Sequence, residues 1–325
     1  MSPHAEADPE FSNERPRATP PVAASVVIPA YQAEDLIGGC LDALMAQAPE
    51  TPAHEILVVD NGSRDDTVGR VKSHPLFRRG VVRLLREERP GSYAARNLGI
   101  AEARGNAILF IDADCRPSAC WVAALCAELM DPLVLLTGSS IVPATGDGSL
   151  VERYSAAEGI LSQDATLRRP VGSFLQTASM GVRADDARSI AGFRADLPTG
   201  GDADFCLRLQ RARQGGIRLA SSASVSHVHR TSVRGLWRQF RRYGQGDVLL
   251  WRLHGGSPVR AVLKGGIESL RVLLAPLLSV LRVPESLMTR DILPAATPLL
   301  TAVRTLARWA GRLRALVRPG ALHRS

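Results

Sequence analysis

The sequence predicts an α/β fold, a mainly parallel twisted sheet flanked by helices, followed by a basic, helical C-terminal extension. Three observations carry this. Short apolar, β-branched runs alternate with segments of helical periodicity between residues 25 and 111, the pattern of βαβ units whose sheet is covered on both faces. Acidic residues stand directly behind two of those runs, at Asp60 and Asp112. Charge is also divided unequally. Residues 230–325 carry 17 Lys/Arg against 4 Asp/Glu, whereas residues 1–229 carry 23 against 28.

Taken in order, Ser25–Ala30 (SVVIPA) reads as a buried strand ending near a proline. Glu34–Gln47 follows as a helix, with Leu36, Ile37, Leu41, Leu44 and Met45 at helical spacing. Glu55–Asp60 (EILVVD) is a second strand closed by the turn-rich NGSRDDT, and Val81–Leu85 a third. Gly91–Arg104 is an Ala-rich helix, and Ala107–Ile111 (AILFI) a fourth strand running into Asp112-Ala113-Asp114. Beyond these, strands are expected within 132–141 and at 217–220, and helices at 150–162 and 203–214. From about Arg230 the pattern is helical and basic, with Gly-Gly breaks at 255–256 and 265–266.

The 325 residues, 45% hydrophobic and 22% charged, allow a sizeable core and exclude wholesale disorder. Residues 1–23, rich in Pro and acids without an apolar stretch, read as a disordered tail, neither signal peptide nor anchor. Five cysteines, an odd number with no CxxC pair, point to reduced thiols in the cytoplasm. The expected organisation is therefore a tail (1–23), an α/β domain (24–229, with halves 24–121 and 122–229) and the basic helical region (230–325).

In open sheets of this type ligands bind beyond the carboxyl ends of the strands, so Asp60 and Asp112 are expected in one crevice. Two carboxylates one residue apart in a turn, Asp112 and Asp114, suit a hard divalent cation. Mg²⁺ and Mn²⁺ take oxygen ligands from one or two carboxylates plus substrate phosphates. The alternative for the pair is two solvated turn acids.

Four segments, in order, resemble the nucleotide-sugar half of the family 2 glycosyltransferases: SVVIPAYQAEDLIGGCLDAL, ILVVDNGSRDDT, PGSYAARNLGIAEARGNAILFIDAD and CRPSACW. The resemblance covers residues 25–121 and implies the GT-A fold and an inverting transfer from a nucleotide-diphosphate sugar with Mg²⁺ or Mn²⁺. It further implies that Pro29, Tyr31 and Glu34, with Asp60, hold the base and ribose, and that Arg96 lies near the phosphates or base. Asp112 would touch both nucleotide sugar and metal, and Asp114 the metal. For Glu34 the alternative is a favourable acid at a helix N-terminus, for Asp60 a turn-forming Asp, and for Arg96 an exposed helical side chain.

PTGGDADFCLRLQRA at 198–212 resembles the family's acceptor-side G-E-D-x-D-L segment, with Gly201 where the family has Glu. Asp202 matches the general base, and can also cap the helix that follows. Asp204 is a structural or acceptor contact. His227, in SVSHVHR, is a candidate third metal ligand or an ordinary histidine. QFRRYG at 239–244 loosely resembles the Q-x-x-R-W element of polymerising members, with Tyr243 in place of Trp, and makes Arg242 an acceptor-side candidate.

Two uncharged runs, Val272–Leu281 and Ile292–Val303, fall well short of the roughly 20 residues that span a bilayer. In Leu299–Val317, Leu299, Val303, Leu306, Ala310, Leu313 and Val317 share one face, opposite Arg304, Arg308, Arg312, Arg314 and Arg318. This is the pattern of an interfacial helix on anionic lipid, or of a helix packed on its own domain. A cytoplasmic enzyme, peripheral on the inner membrane face and acting on a lipid-linked or cell-envelope glycan, fits these features better than a nucleic-acid binder. A sugar-nucleotide pyrophosphorylase would carry a G-x-G-T-R-L loop, which is missing. A processive synthase would bring membrane-spanning helices. A non-catalytic nucleotide-sugar-binding scaffold would have little reason to keep Asp112, Asp114 and Asp202 together.

Overall fold

A computed structural model describes residues 22–144, 148–168 and 172–317. The expected tail, apart from its last two residues, and Arg318 lie outside the described residues. In chain order, β1 (Ala24–Ala30), α1 (Ile37–Met45), β2 (His54–Asp60), the short α2 (Thr67–Ser73) and α3 (Pro75–Arg78), β3 (Val82–Arg86), α4 (Ser92–Glu102) and β4 (Ala107–Phe110) form the repeating first part. There follow β5 (Cys115–Pro117), α5 (Trp121–Leu129), β6 (Val134–Pro143), α6 (Leu150–Ala157), α7 (Gln163–Leu167), β7 (Met180–Arg183), α8 (Ala184–Ser189), α9 (Gly201–Ala212) and β8 (Gly216–His227). The helices α10 (Val233–His254), α11 (Pro258–Leu270), α12 (Ala275–Leu281), α13 (Val283–Thr289) and α14 (Leu293–Val317) close the described chain.

The chain divides into two compact units. The first holds the described residues up to Ile141 with Phe174–Ala195 and Phe205–His227; the second holds Val142–Ser173, Asp196–Asp204 and the residues from Val228 onward. Segments 142–173 and 196–204, grouped by the sequence reading with the α/β domain, thus cluster with the C-terminal helices.

The first unit is built on one sheet of order β3-β2-β1-β4-β7-β6-β8-β5. Its pairs are parallel from β3 to β4 and antiparallel at β4–β7, β7–β6 and β5–β8. The parallel strands are covered on both faces, which is why Val26, Val27, Ile28, Ile56, Leu57, Val58, Ile108 and Leu109 are all buried; each such side chain contributes about 1.5–3 kcal/mol. Register then sets the site. Ala30 pairs with Asp60 and Val27 with Phe110, so β1, β2 and β4 end at one edge and deliver Tyr31, Asp60 and Asp112 to it. At the opposite edge Glu55 is buried but satisfied, accepting from Ser25 Oγ at 2.7 Å and Arg83 Nη1 at 3.0 Å.

The second unit is organised by α10 and α14, which pack along each other. Their close approach rests on glycine. A side chain at Gly244 would overlap the carbonyl of Arg308, and one at Gly311 the carbonyl of Arg241. The buried face of α14 is therefore Leu300, Ala302, Ala307, Gly311 and Ala315, not the Leu299–Val317 face read from the sequence. Leu299 and Val317 are exposed. Small residues let the two backbones approach, whereas a reading weighted by side-chain hydrophobicity points to the large residues instead. Asp247 receives both Arg308 (Nε 2.7 Å, Nη2 2.7 Å) and Arg312 (Nε 2.9 Å), and Arg304 Nη1 meets Glu158 at 2.9 Å. Three of the arginines read as a lipid-facing row are thus engaged within their own unit. The Gly255 break is real, a left-handed C-cap of α10 at φ 88°. Gly265-Gly266 is not a break but lies inside α11, where it makes room for Trp309.

Candidate functional site

At the sheet edge, the loop after β1 is laced to the loop after β2. Gln32 N–H donates to Ser63 Oγ at 3.0 Å, Ala33 N–H to Thr67 Oγ1 at 2.8 Å and Glu34 N–H to Asp65 Oδ2 at 3.2 Å. Glu34 returns the bond, accepting from Asp66 N–H at 2.8 Å. Burial resists the ionisation of Asp65, but hydrogen bonds from Thr67 and backbone N–H groups outweigh it and hold that carboxyl below its ordinary range. Asp60 is buried at the end of β2 and accepts the N–H groups of Gly62 (3.2 Å) and Ser63 (3.2 Å), the Asx geometry expected of an aspartate before Asn-Gly. Pro29 is partly exposed near the end of β1, and Tyr31 projects at 59% exposure.

Asn61, which the sequence reading passed over, holds the next loop. Its Nδ2 donates to the carbonyls of Glu87 and Arg89, each at 2.9 Å, and its Oδ1 accepts from Gly91 N–H at 2.7 Å. Gly91 sits at φ 121°, a conformation that favours glycine, and opens α4. The only signal in the sequence was the Asn-Gly dipeptide, which marks a turn without naming its partners.

The two aspartates of the Asp-Ala-Asp turn have separate partners. Asp112 Oδ1 receives Arg96 Nη2 at 2.5 Å. Arg96 comes from α4, and its side chain is only 5% exposed, with the guanidinium over the rings of Tyr93 (5.6 Å) and Phe193 (6.0 Å). Read from the sequence as a phosphate or base contact, Arg96 here orients a carboxylate. Asp114 faces His227, with Nε2 3.4 Å from Oδ2. Topology explains the meeting: β5 starts at Cys115, immediately after Asp114, and pairs antiparallel with β8 so that Cys115 stands opposite His227.

Asp114, Cys115 and His227 offer donor atoms within 4.8 Å of one another, a group that could hold a metal ion. Carboxylate oxygen and imidazole nitrogen suit Mn²⁺, and the carboxylates suit Mg²⁺. Cys115 does not fit the set. Its sulfur is a soft donor, whereas Mg²⁺ and Mn²⁺ prefer oxygen; burial, then the charges of Asp112 and Asp114, also push the thiol well above its ordinary range. Cys40, behind the same turn, is raised by burial and then by Asp114 and Asp112. All five cysteines are free thiols.

In the second unit, Asp202 lies in the first turn of α9, partly exposed, with Oδ1 accepting from Ala203 N–H at 3.0 Å. Asp204 is fully buried and meets His254 Nε2 at 3.1 Å, at the end of α10. Nothing in the sequence around His254 marks this pairing; only the glycines after it stand out. Arg242 Nη2 donates to the Pro198 carbonyl at 3.1 Å, bracing the segment that leads to Gly200. Tyr243 accepts from Gln239 Nε2 at 2.9 Å, and burial raises its phenol, with the negative charge of Asp202 adding to the rise. Pro29, Tyr31, Glu34, Asp60, Arg96, Asp112, Asp114 and His227 therefore belong to the first unit, and Asp202, Asp204 and Arg242 to the second.

Residues 25–195 match the family model "Glycosyl transferase family 2". The chain is 31% identical over 232 residues to glycosyltransferase AglE of Haloferax volcanii, covering 70% of this chain and 74% of that one. It is 29% identical over 225 residues to the pre-mycofactocin glycosyltransferase of Mycobacterium tuberculosis, covering 65% of this chain and 45% of that one. Among solved structures, the mannosyltransferase PcManGT of Pyrobaculum calidifontis, in complex with GDP-Man and Mn²⁺, superposes with a TM-score of 0.53 at 18% identity, over 95% of this chain and 80% of that one. Glucosyl-3-phosphoglycerate synthase of Mycobacterium tuberculosis, in complex with Mn²⁺, UDP and glucosyl-3-phosphoglycerate, does so with a TM-score of 0.50 at 20% identity, over 73% of this chain and 81% of that one. These two likenesses speak for the GT-A fold. With the family model spanning more than half of the sequence, the chain belongs to glycosyl transferase family 2 and is a glycosyltransferase.

Proposed function

We propose that this enzyme transfers a sugar, with inversion, from a nucleotide-diphosphate donor to a hydroxyl of a lipid-linked or cell-envelope glycan at the cytoplasmic face of a membrane. The observation that carries the donor half is the division of labour in the Asp112-Ala113-Asp114 turn. Arg96 fixes Asp112 from behind, and Asp114 stands with His227 at the edge where β1, β2 and β4 end. Nucleotide diphosphates or nucleotide sugars with Mn²⁺ in structures of the same fold support the same reading.

In this reading Pro29, Tyr31, Glu34 and Asp60 receive the nucleoside. The bonds that lace the two loops together keep Glu34 and Asp60 preorganised, so little ordering is needed when the donor binds. Asp114 and His227, with Asp112 beside them, are the residues that would hold Mg²⁺ or Mn²⁺, which when bound supplies positive charge toward the departing diphosphate. Asp202 accepts the proton of the acceptor hydroxyl while its oxygen bonds to the anomeric carbon and the bond from that carbon to the phosphate oxygen breaks. Asp204, sealed against His254, fixes the turn that presents Asp202, and Arg242 steadies the approach to it through the Pro198 carbonyl.

The test is Asp202→Asn. We expect kcat to fall by about 10²–10⁴-fold while donor affinity, measured by calorimetry with the sugar nucleotide, stays unchanged. A near-wild-type rate would retire the assignment of the base. A product with retained anomeric configuration by NMR would retire inversion.

A further inference from the structure

We propose that the surface formed by α11, α12 and α13 seats in the interfacial layer of an anionic phospholipid bilayer, holding the enzyme on the membrane without crossing it. This names the membrane-facing element of the reading above and rests on it only for the nature of the acceptor.

The helices α12 and α13 have seven residues each, both with proline in the first turn. A soluble protein would be expected to bury their apolar side chains, and here it does not. Among the described residues, none between 276 and 299 is buried. Leu277, Leu278, Leu281, Leu287, Met288 and Ile292 all stand in solvent, with Leu287 at 74% and Met288 at 86% exposure. On α11, Val259, Leu263 and Ile267 recur every fourth residue and are all exposed, a stripe along one face of that helix. Another face, with Val262 buried and Gly265-Gly266 beside Trp309, packs inward. Scattered exposed leucines need no explanation, but a concentration of exposed large apolar side chains along one stretch of chain, from Val259 to Ile292, marks an interaction site.

Charge selects the occupant. Residues 258–292 carry five Lys/Arg against three Asp/Glu, Asp291 already faces Arg153, and Arg282 and Arg290 are exposed within the apolar segment itself. A two-fold contact between copies of the chain would bury the exposed Arg282 and Arg290 against a surface of the same net positive sign. Anionic headgroups supply the counter-charge and the acyl boundary takes the leucines, the division found in interfacial helices rich in Arg and Leu. Among the described residues, no helix is long and apolar enough to cross a membrane, so the segment would lie in the interface. The sequence pointed to α14 for this role, but the arginines Arg304, Arg308 and Arg312 on that helix already have carboxylate partners.

The experiment is sedimentation of the full chain with vesicles of phosphatidylglycerol and phosphatidylcholine in equal parts, against phosphatidylcholine alone. Wild type should partition onto the anionic vesicles. Leu277→Gln combined with Leu281→Gln and Leu287→Gln should weaken that partition at least about tenfold, with circular dichroism and Tm unchanged because all three side chains are exposed. Arg282→Gln with Arg290→Gln should cost about fivefold per arginine at low salt, less as salt rises. The proposal is overturned if wild type ignores anionic vesicles or if the leucine variant binds as well as wild type. It is equally overturned if wild type elutes as a dimer that the leucine variant converts to a monomer, which would make the surface a self-contact. Turnover of a sugar nucleotide without lipid, followed in parallel, reports on the transferase reading alone, so the two can fail separately.

Discussion

Arginine–aspartate contacts occur in both compact units and do different work in each. In the sheet unit one arginine, Arg96, meets one aspartate, Asp112, at the end of β4, and the next aspartate stands with His227. The pair aims a carboxylate at an edge where strands end. In the helical unit two arginines from α14, Arg308 and Arg312, converge on Asp247 of α10. That triad joins two helices that pack through Leu236, Phe240 and Leu300 in one stretch and through Gly244 and Gly311, which offer little hydrophobic area, in the next. At the end of β4 the charge pair orients a carboxylate, whereas between α10 and α14 it serves cohesion; and it is the helical unit that leaves a run of large apolar residues exposed, from Val259 to Ile292. A lesion in the Asp112–Asp114 turn should read out as activity, and one at the crossing of α10 and α14 as stability.

Among lesions at these arginine–aspartate and helix contacts and their neighbours, Asp114→Asn should show the largest effect and break the comparison most openly if it fails. The amide removes the negative charge that faces His227 and, in the proposed function, the metal that meets the diphosphate. We expect kcat/KM to fall by about 10²–10³-fold and the apparent affinity for Mn²⁺ to weaken, with Tm close to wild type. Metal titration of turnover measures both. A variant that keeps its metal response would place the ion elsewhere.

How much of this was open to a reader of the sequence divides along the same line. β1, β2 and β4 were legible because buried parallel strands must be continuous apolar runs, and Asp60 and Asp112 were legible because they interrupt such runs at their ends. The division of labour between Asp112 and Asp114 was not. Arg96 reaches Asp112 from a helix sixteen residues earlier, and His227 reaches Asp114 only because the three-residue strand β5 pairs with the end of β8. Three residues are too few to show periodicity. β8 itself runs Gly216–His227, far beyond the expected 217–220, because Ser221, Ser222, Ala223 and Ser224 carry little hydrophobic alternation. In the helical unit, composition pointed to helices and to positive charge, yet the face of α14 was misread because glycine and alanine score low as core residues.

That misreading gives the second prediction. Gly311→Leu adds bulk where even a single carbon would overlap the carbonyl of Arg241, so α10 and α14 must move apart. Overpacking of this kind costs about 3 kcal/mol, readable in urea unfolding. Affinity for the sugar nucleotide, which the proposed function assigns to the sheet unit, should change little. If the variant were as stable as wild type, the close crossing of the two helices would be wrong.

The smallest effect expected is that of Asp247→Asn, and its pH dependence makes it the most discriminating. Burial disfavours the charged form of Asp247, but Arg308 and Arg312 overcome this and hold its pKa below the ordinary carboxylate value. The folded-state pKa is therefore depressed, and the triad's stabilisation is present in full above the unfolded value near 4 and is lost as pH falls through the folded one. At neutral pH, removing the charge should cost about 2 kcal/mol, below the usual figure for a fully buried pair because both arginines retain some contact with water. Urea titrations of wild type and variant from neutral pH downward should show that gap narrowing once the pH passes below about 4. A gap that stayed constant into the acid range would show that Asp247 holds the helices by shape and hydrogen bonding rather than by charge.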